Sequence, residues 1–443
     1  MRQLLGSRVI WNINSTAAGG GVAEMLRPIL RYARGLGINT RWLVIEAPPE
    51  FFRVTKRLHN ALHGSVGDGS ALGPEAAALY AKVMHDNIVA FDELVRPGDV
   101  VICHDPQTAG LVPHFSKKGC LVVWRCHIGH EDHDAEVDRG WSFLRPHLEN
   151  VRVAVFSRSA YAPHWIEPTR TIVLAPNIDP FSAKNQAMDD ATVRSILVET
   201  GLVDGAHGPG APTFVRDDGS SGRVDRKAEV LQLGRPPSFD AELVVQVSRW
   251  DAIKDPIGVL EGFAKLVEPG VPGSPELVLA GPNVHAVADD PEGAEVFAAL
   301  EKSWRALPDS LRSLVHLALL PMNDNEENAA IVNALQRHAA VIVQKSLYEG
   351  FGLTVTEAMW KRTPVVATNV GGIRDQIRDD IDGLLIKNPT DLDEFAHTVS
   401  RVLDDEALGE RLGEGGHERV KDNYLVITAL ERWASLVREL VAA

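Results

Sequence analysis

The 443-residue chain has only three cysteines, Cys103, Cys120 and Cys126, and no C-x-x-C pair among them. They read as reduced thiols, which excludes a disulfide framework. Long apolar runs are also lacking: nowhere do about 18 apolar residues follow one another, so no spanning helix is expected. The opening MRQLLGSRVIWNIN has no apolar run leading to a small-residue cleavage site, and a cytoplasmic protein is the expectation. Excess positive charge is missing as well. Forty-five basic against 60 acidic residues give a net charge of −15, which disfavours a nucleic-acid partner while leaving room for a local basic cleft that holds a phosphate. What is present, 45% hydrophobic residues over 443 positions, is enough for two separate cores.

From Arg8 to Leu174 short apolar runs (RVIWNIN, TRWLVI, DVVICH, LVVWRC, VRVAVF, TIVL) alternate with segments of helical period such as VAEMLRPILRYA. This is the βαβ rhythm of a parallel sheet covered on both faces. It stops after APNIDP and restarts at LVVQVSRW, continuing through ELVLAG, VHLALL, AVIVQKS, PVVAT and GLLI. Between Gly201 and Phe239 the chain is rich in Gly, Pro, Asp and Ser without a sustained period, and reads as an exposed excursion. The organisation expected is an α/β chain of two Rossmann-like domains facing each other across a cleft. Residues 1–176 would form the acceptor domain, 177–240 a linker with an irregular insertion, 241–425 the nucleotide-sugar domain, and 426–443 a terminal helix packing back on the first domain.

The stretch WRCHIGHEDH, Trp124 to His133, raises two alternatives. H-I-G-H is the tetrapeptide with which class I aminoacyl-tRNA synthetases hold nucleotide phosphates. There it opens the helix after an early strand; here it follows about the fourth strand, and the acidic charge balance argues further against tRNA. His127, His130 and His133 also carry a metal-like spacing, but no separate element supplies a further ligand. A third reading fits better: His127, at a strand's carboxyl end where open α/β sheets bind ligands, donates a hydrogen bond to the ligand. No metal ligands are assigned.

The second half carries sharper signals. YEGFGLTVTEAMW places Glu349 in the loop after a strand and Glu357, seven residues intervening, inside a helix that begins near Leu353. A helix start preceded by Gly350 and Gly352 offers free N–H groups and a positive dipole end, suited to a diphosphate. The carboxylates are then left for hydroxyls, Glu357 for a ribose diol and Glu349 for a sugar. The Phe, Leu and Val between them mark a buried turn where idle carboxylates would be costly. In VSRWDAIKD, Arg249 and Lys254 follow another strand and suit two phosphates, although an isolated pair of this kind is more often a surface ion pair with Asp251 or Asp255. In the first half, Gly19, Gly20 and Gly21 lie between the first strand and first helix as a backbone cradle. Asp105 in CHDPQ directly follows a strand, on the expected cleft side with His127.

Together these residues resemble the retaining glycosyltransferases of GT-B architecture, whose paired-glutamate motif is matched by Glu349 and Glu357. GGGVAEM, FFRVTKRLHNALHG, HDPQ, QVSRWD, DDPEG and EGFGLTVTEAMW are similar to the trehalose synthases that join a nucleotide-activated glucose to free glucose. The resemblance implies that Arg249 and Lys254 neutralise the departing diphosphate and that Glu357 holds the ribose. It further implies that Glu349 and the N–H groups of Gly352 and Leu353 hold the donor glucose, and that His127 takes its 6-hydroxyl. Asp105 would lie beside the reacting sugars and Gly20 and Gly21 at the phosphate and acceptor side. The partners implied are small sugars and a nucleoside-diphosphate glucose as co-substrate. No cofactor is required, magnesium acting at most as a stimulant, and no membrane or nucleic acid is involved; a homodimer is left open.

Rival readings are a trehalose phosphorylase, a synthase using glucose 6-phosphate, a sugar-nucleotide sensor and a membrane-surface transferase. Val9 to Leu26 contains no Lys or Arg, which weakens a phosphorylated acceptor. The intact set Arg249, Lys254, Glu349 and Glu357 argues against a sensor, and Pro28 within MLRPILRYAR against a membrane helix.

Overall fold

The computed structural model describes residues 2–17, 21–132, 134–268, 270–271, 273–284 and 291–442. It divides into two compact units, one running to Asn177 and including the helix Val426–Ala442, the other spanning Ile178–Leu425.

The first unit is built on six parallel strands: β1 (Ile10–Asn14), β2 (Thr40–Val44), β3 (Val100–His104), β4 (Leu121–Cys126), β5 (Val153–Phe156) and β6 (Thr171–Val173). Their order is β2-β1-β3-β4-β5-β6. Side chains alternate across the pleat, so Val101, Cys103, Val122, Trp124 and Cys126 join Phe51, Tyr80 and Trp141 in one core. Val100, Ile102 and Val123 face the other, closed by Leu5 and by Leu436, Val437 and Leu440 of the terminal helix. The chain leaves β1 for β2 on one side and returns past β1 to β3, so the topological switch point lies between β1 and β3. Open α/β sheets bind ligands beyond the strand ends at such a point.

The second unit contributes the hairpin β7 (Thr213–Val215) with β8 (Ser221–Arg223), then β9 (Glu229–Leu231), β10 (Leu243–Val247), β11 (Glu276–Pro282), β12 (Val315–Leu320), β13 (Val341–Gln344), β14 (Val365–Thr368) and β15 (Leu384–Ile386). The main sheet runs β15-β14-β13-β10-β11-β12-β9. Strands β10 to β15 are parallel and β9 is antiparallel at the edge. The switch point here falls between β10 and β13, bringing the loops that carry VSRWDAIKD and EGFG to adjacent strand ends.

The segment expected as a linker and irregular insertion differs from that expectation. Residues 178–240 belong to the second unit: Asp190–Glu199 is helical, and β9 extends the main sheet by pairing with β12, Leu231 opposite Leu317. Its three strands are each three residues long, too short to show a period. Beside the pairing of β9 with β12 and the packing of Leu231 and Leu233 on the core, charge pairs dock the segment. Arg216 meets Asp324 at 2.6 Å and Glu326 at 3.0 Å. Arg226 pairs with Glu327, which is 1% exposed and also accepts from the backbone N–H groups of Asp225 and Arg226 at 2.8 and 2.9 Å. Arg226 is exposed and can turn to water, but removing the acceptor leaves two backbone N–H groups without their partner, so Glu327→Ala should lower unfolding stability by about 3 kcal/mol. It should also open residues 213–231 to protease, while Glu326→Ala, at a site more open to solvent, should cost under about 1 kcal/mol. Equal losses in thermal melts of the two variants would show that the buried carboxylate is not what docks the segment.

Candidate active site

The loop after β10 is shaped by its aspartates. Asp251 accepts from Ile253 N at 3.1 Å and caps the turn Ala252–Lys254. Asp255, left-handed at φ 49°, caps the helix Pro256–Leu266 by accepting from Gly258 N at 3.0 Å. Its carboxylate also pairs with Lys345, fully buried one residue past β13. A β-carbon at Gly258 would collide with that carboxylate, so glycine is needed there. The adjacent Lys254 pairs with Glu349, in the loop after β13, whose Oε2 also accepts from Ser346 Oγ at 3.3 Å. Gln246 ties the loops from below: Nε2 donates to the Lys254 carbonyl at 3.1 Å and Oε1 accepts from Lys345 N at 3.3 Å. Arg249 is not drawn into this cluster. Its side chain is 71% exposed, its charge meets Asp251 at 3.6 Å, and no bond among the described residues ties it to Lys254 or Glu349.

Beyond Glu349 the chain turns at Gly352, left-handed at φ 87°, where a β-carbon would crowd Glu349 Cγ at 3.1 Å. The helix Leu353–Trp360 then begins without a side-chain cap. Gln376 fixes the turn from below, donating to the Phe351 carbonyl and accepting from Thr356 Oγ1 at 2.5 Å. One turn into the helix, Glu357 is buried. Its Oε1 lies 3.6 Å from Lys184 Nζ, and its Oε2 has no hydrogen-bond partner among the described residues. Lys361 donates to the Glu357 carbonyl and to Asn185 Oδ1, each at 3.0 Å. Burial pushes its ammonium down to about 7 against the pull of Glu357. The cluster thus offers an ammonium, a bare helix start and a buried carboxylate oxygen that lacks a donor, a set that can hold an anion beside hydroxyls.

In the first unit Asp105 follows β3 at φ 63°, ψ 178°, a region populated almost only by glycine and costing of order 1–3 kcal/mol. Three contacts hold it there. Its N–H donates to the Arg125 carbonyl at 2.7 Å, its carbonyl accepts from Trp124 Nε1 at 3.1 Å, and its carboxylate accepts from His127 N at 2.7 Å. Burial pushes the Asp105 carboxyl up to about 7, opposed by the His127 N–H and by Arg125. Arg125 is itself buried, donating to Ser157 Oγ at 3.3 Å, and burial brings it down to about 10. The His127 ring sits 3.1 Å, Nε2 to Nδ1, from His104, whose Nε2 is 3.1 Å from Asn12 Oδ1. Burial holds His104 at about 3 and His127 well below the usual imidazole range, with Arg125 adding to both. His130 accepts from Asp132 N at 3.0 Å within its own loop, and His133 lies outside the described residues. Among the described residues no group of three or more His, Cys, Asp or Glu is arranged to hold a metal ion. Gly21 opens the helix Gly21–Gly35 and is exposed; Gly19 and Gly20 lie outside the described residues.

The sequence reading left out Asn12, His104, Arg125, Lys184, Lys345 and Lys361. Lys345 and Arg125 had a legible signal, since each is a cation within or just past an apolar strand run, where burial demands a partner. Asn12 and Lys184 had none, because their meaning depends on partners distant in sequence.

Residues 12–163 match the family model of the trehalose synthase N-terminal domain, and residues 237–419 that of glycosyl transferases group 1. A trehalose synthase of Pyrococcus horikoshii is 34% identical over 440 residues, 98% of this chain and 91% of that protein. The chain belongs to the trehalose synthase family of glycosyltransferases. It is therefore an enzyme of trehalose-related glycosyl transfer. Its fold is GT-B: a UDP-forming α,α-trehalose-phosphate synthase from Burkholderia xenovorans superposes with a TM-score of 0.71 at 16% identity, covering 99% of this chain and all of that one. A trehalose phosphorylase of Pleurotus pulmonarius is more distant, 25% identical over 446 residues, covering 96% of this chain and 56% of that protein. No helix among the described residues of this glycosyltransferase is long and apolar enough to cross a membrane.

The raised Asp105 carboxyl has a consequence for stability. Its folded value of about 7 lies above the ordinary 3.8, so its contribution to stability is fully present below pH 3.8 and lost as pH rises through about 7. Between pH 5.5 and 8 the loss is on the order of 2 kcal/mol. Asn accepts the same His127 N–H without ionising. The melting temperature of Asp105→Asn relative to the parent should therefore rise between pH 5.5 and pH 8, and a constant offset would refute the assignment.

Proposed function

We propose that this enzyme transfers glucose from a nucleoside-diphosphate glucose to free glucose, reversibly and with retention, forming trehalose. The observation that carries the reading is the Lys254–Glu349 pair set against the uncapped start of the helix Leu353–Trp360 at a switch point. A cation and bare N–H groups suit a diphosphate, and the carboxylate beside them suits sugar hydroxyls. In this reading Lys254 and the N–H groups of Gly352 and Leu353 take the phosphates and the donor sugar, and Glu349 takes sugar hydroxyls. Arg249, exposed beside Asp251, turns to a phosphate. The unpartnered Oε2 of Glu357 meets the ribose diol. His127 and Asp105 meet the sugars, and Gly20 and Gly21 serve the acceptor side.

The acceptor hydroxyl attacks the anomeric carbon on the face from which the diphosphate leaves. The bond from that carbon to the phosphate oxygen breaks, and the hydroxyl proton passes to that oxygen. No protein nucleophile and no metal enters this step, so rate comes from placement and charge stabilisation. A phosphorylase, the alternative, would use phosphate in place of the nucleotide, and would leave the Glu357 oxygen without a diol to bind.

Incubation with glucose and UDP-, ADP- or GDP-glucose, or with glucose 1-phosphate, separates the two. Trehalose from a nucleotide donor is expected; trehalose from glucose 1-phosphate alone would favour the phosphorylase. Charge grows on the leaving oxygens during the reaction, so Lys254→Ala should lower kcat by about 100-fold, roughly 3 kcal/mol. Glu357→Ala should act mainly on donor KM. A Lys254→Ala enzyme with unchanged kcat and only a raised KM would remove the leaving-group role.

A further inference from the structure

Asn12 in β1, His104 at the end of β3 and His127 after β4 form one hydrogen-bonded line within the first unit. The direction of donation along it follows from its far end. Thr40 Oγ1 lies 3.1 Å from the Ile10 carbonyl, which can only accept, so the hydroxyl proton is committed there. Thr40 therefore presents a lone pair to Asn12 at 3.5 Å, and the Asn12 nitrogen is the end that faces it. Asn12 Oδ1 is then turned to His104 Nε2, and an amide oxygen only accepts, so Nε2 carries the proton. A neutral imidazole has one N–H; His104 Nδ1 is thus bare and must receive the proton of His127 Nε2. What remains on His127 is a bare Nδ1, with no partner among the described residues. Burial and the nearby Arg125 keep both rings neutral, as the relay requires.

We infer that Asn12 and His104 are positioning residues that lock His127 in its Nε2–H tautomer, so that Nδ1 accepts a hydrogen bond from a sugar hydroxyl and cannot donate one. The inference rests on the reading that His127 meets a sugar, and it reverses the donor role expected from the sequence. It also makes His127 selective. A free hydroxyl satisfies the bare nitrogen, whereas a fluorine or an esterified oxygen at the same position brings a second acceptor and leaves the nitrogen unpaired.

The test uses the full-length enzyme labelled with 15N-histidine. Long-range proton–nitrogen spectra near neutral pH, with signals assigned by their loss in His127→Gln and His104→Asn, should show both rings protonated at Nε2 and bare at Nδ1. A His127 protonated at Nδ1 overturns the inference. In parallel, His104→Leu removes the acceptor, and should lower kcat/KM about tenfold or more. His104→Asn returns an amide oxygen near the position of Nδ1, and should recover most of that loss. Within a panel of nucleoside-diphosphate monodeoxyfluoroglucose donors, one position should impair the parent enzyme but cause no further loss in His127→Ala. If His127→Ala turns over normally, the sugar-contact reading itself has failed. If His127→Ala is impaired while His104→Leu matches the parent, only the relay has failed.

Discussion

Two ammonium groups and two carboxylates held together at the carboxyl ends of β10 and β13 fix the two loops of the second unit that carry the candidate site. Lys254 reaches from the β10 loop to Glu349 in the β13 loop, and Lys345 from the β13 loop back to Asp255 in the β10 loop. The pairs cross, so neither loop can shift without exposing a charge of the other. Buried pairs of this kind add little to stability compared with apolar packing, but breaking one strands its partner at a cost of about 3–5 kcal/mol. The arrangement therefore specifies geometry more than it stabilises. The requirement for glycine at 258, the left-handed Asp255 and the Gln246 bridge all follow from keeping these four groups in register.

The first unit solves a related problem with neutral groups. Asp105 occupies a backbone conformation that side chains avoid, and its surroundings override the strain through bonds to Arg125, Trp124 and His127. These contacts come from β4 and the residue just after it, which runs beside β3 in parallel register, His104 opposite Arg125. The line from Asn12 in the middle of β1 through His104 at the end of β3 to His127 just after β4 runs across the same region of the sheet. Polar groups buried this close to a switch point are costly unless each is satisfied, and among the described residues the bare nitrogen on His127 and the bare oxygen on Glu357 are two atoms at the candidate site left with a bond to make.

Much of the architecture was legible because parallel strands buried on both faces are continuous apolar runs, and DVVICH, LVVWRC and LVVQV could hardly be anything else. The Glu349 to Glu357 turn was legible for a different reason: two glycines and two carboxylates inside an apolar stretch conflict with burial unless they have a task. The segment 178–240 was not, since its strands are too short for a period and its docking relies on Arg216 and Arg226 finding Asp324, Glu326 and Glu327 about a hundred positions away. Arg249 and Lys254 read as equivalent in sequence, yet one is open to solvent beside Asp251 and the other is half-buried against Glu349.

The sequence by itself determined the two βαβ runs, the strands they contain and the residue types waiting at the strand ends, because these depend on local periodicity and on the price of burying charge. Only the tertiary structure decided which charge meets which, that Asp255 serves Lys345 and not Lys254, and that His127 ends a relay begun at Asn12. Those outcomes depend on the order of strands in each sheet, which brings together loops nearly a hundred residues apart, and pairing at that range leaves no local pattern to read.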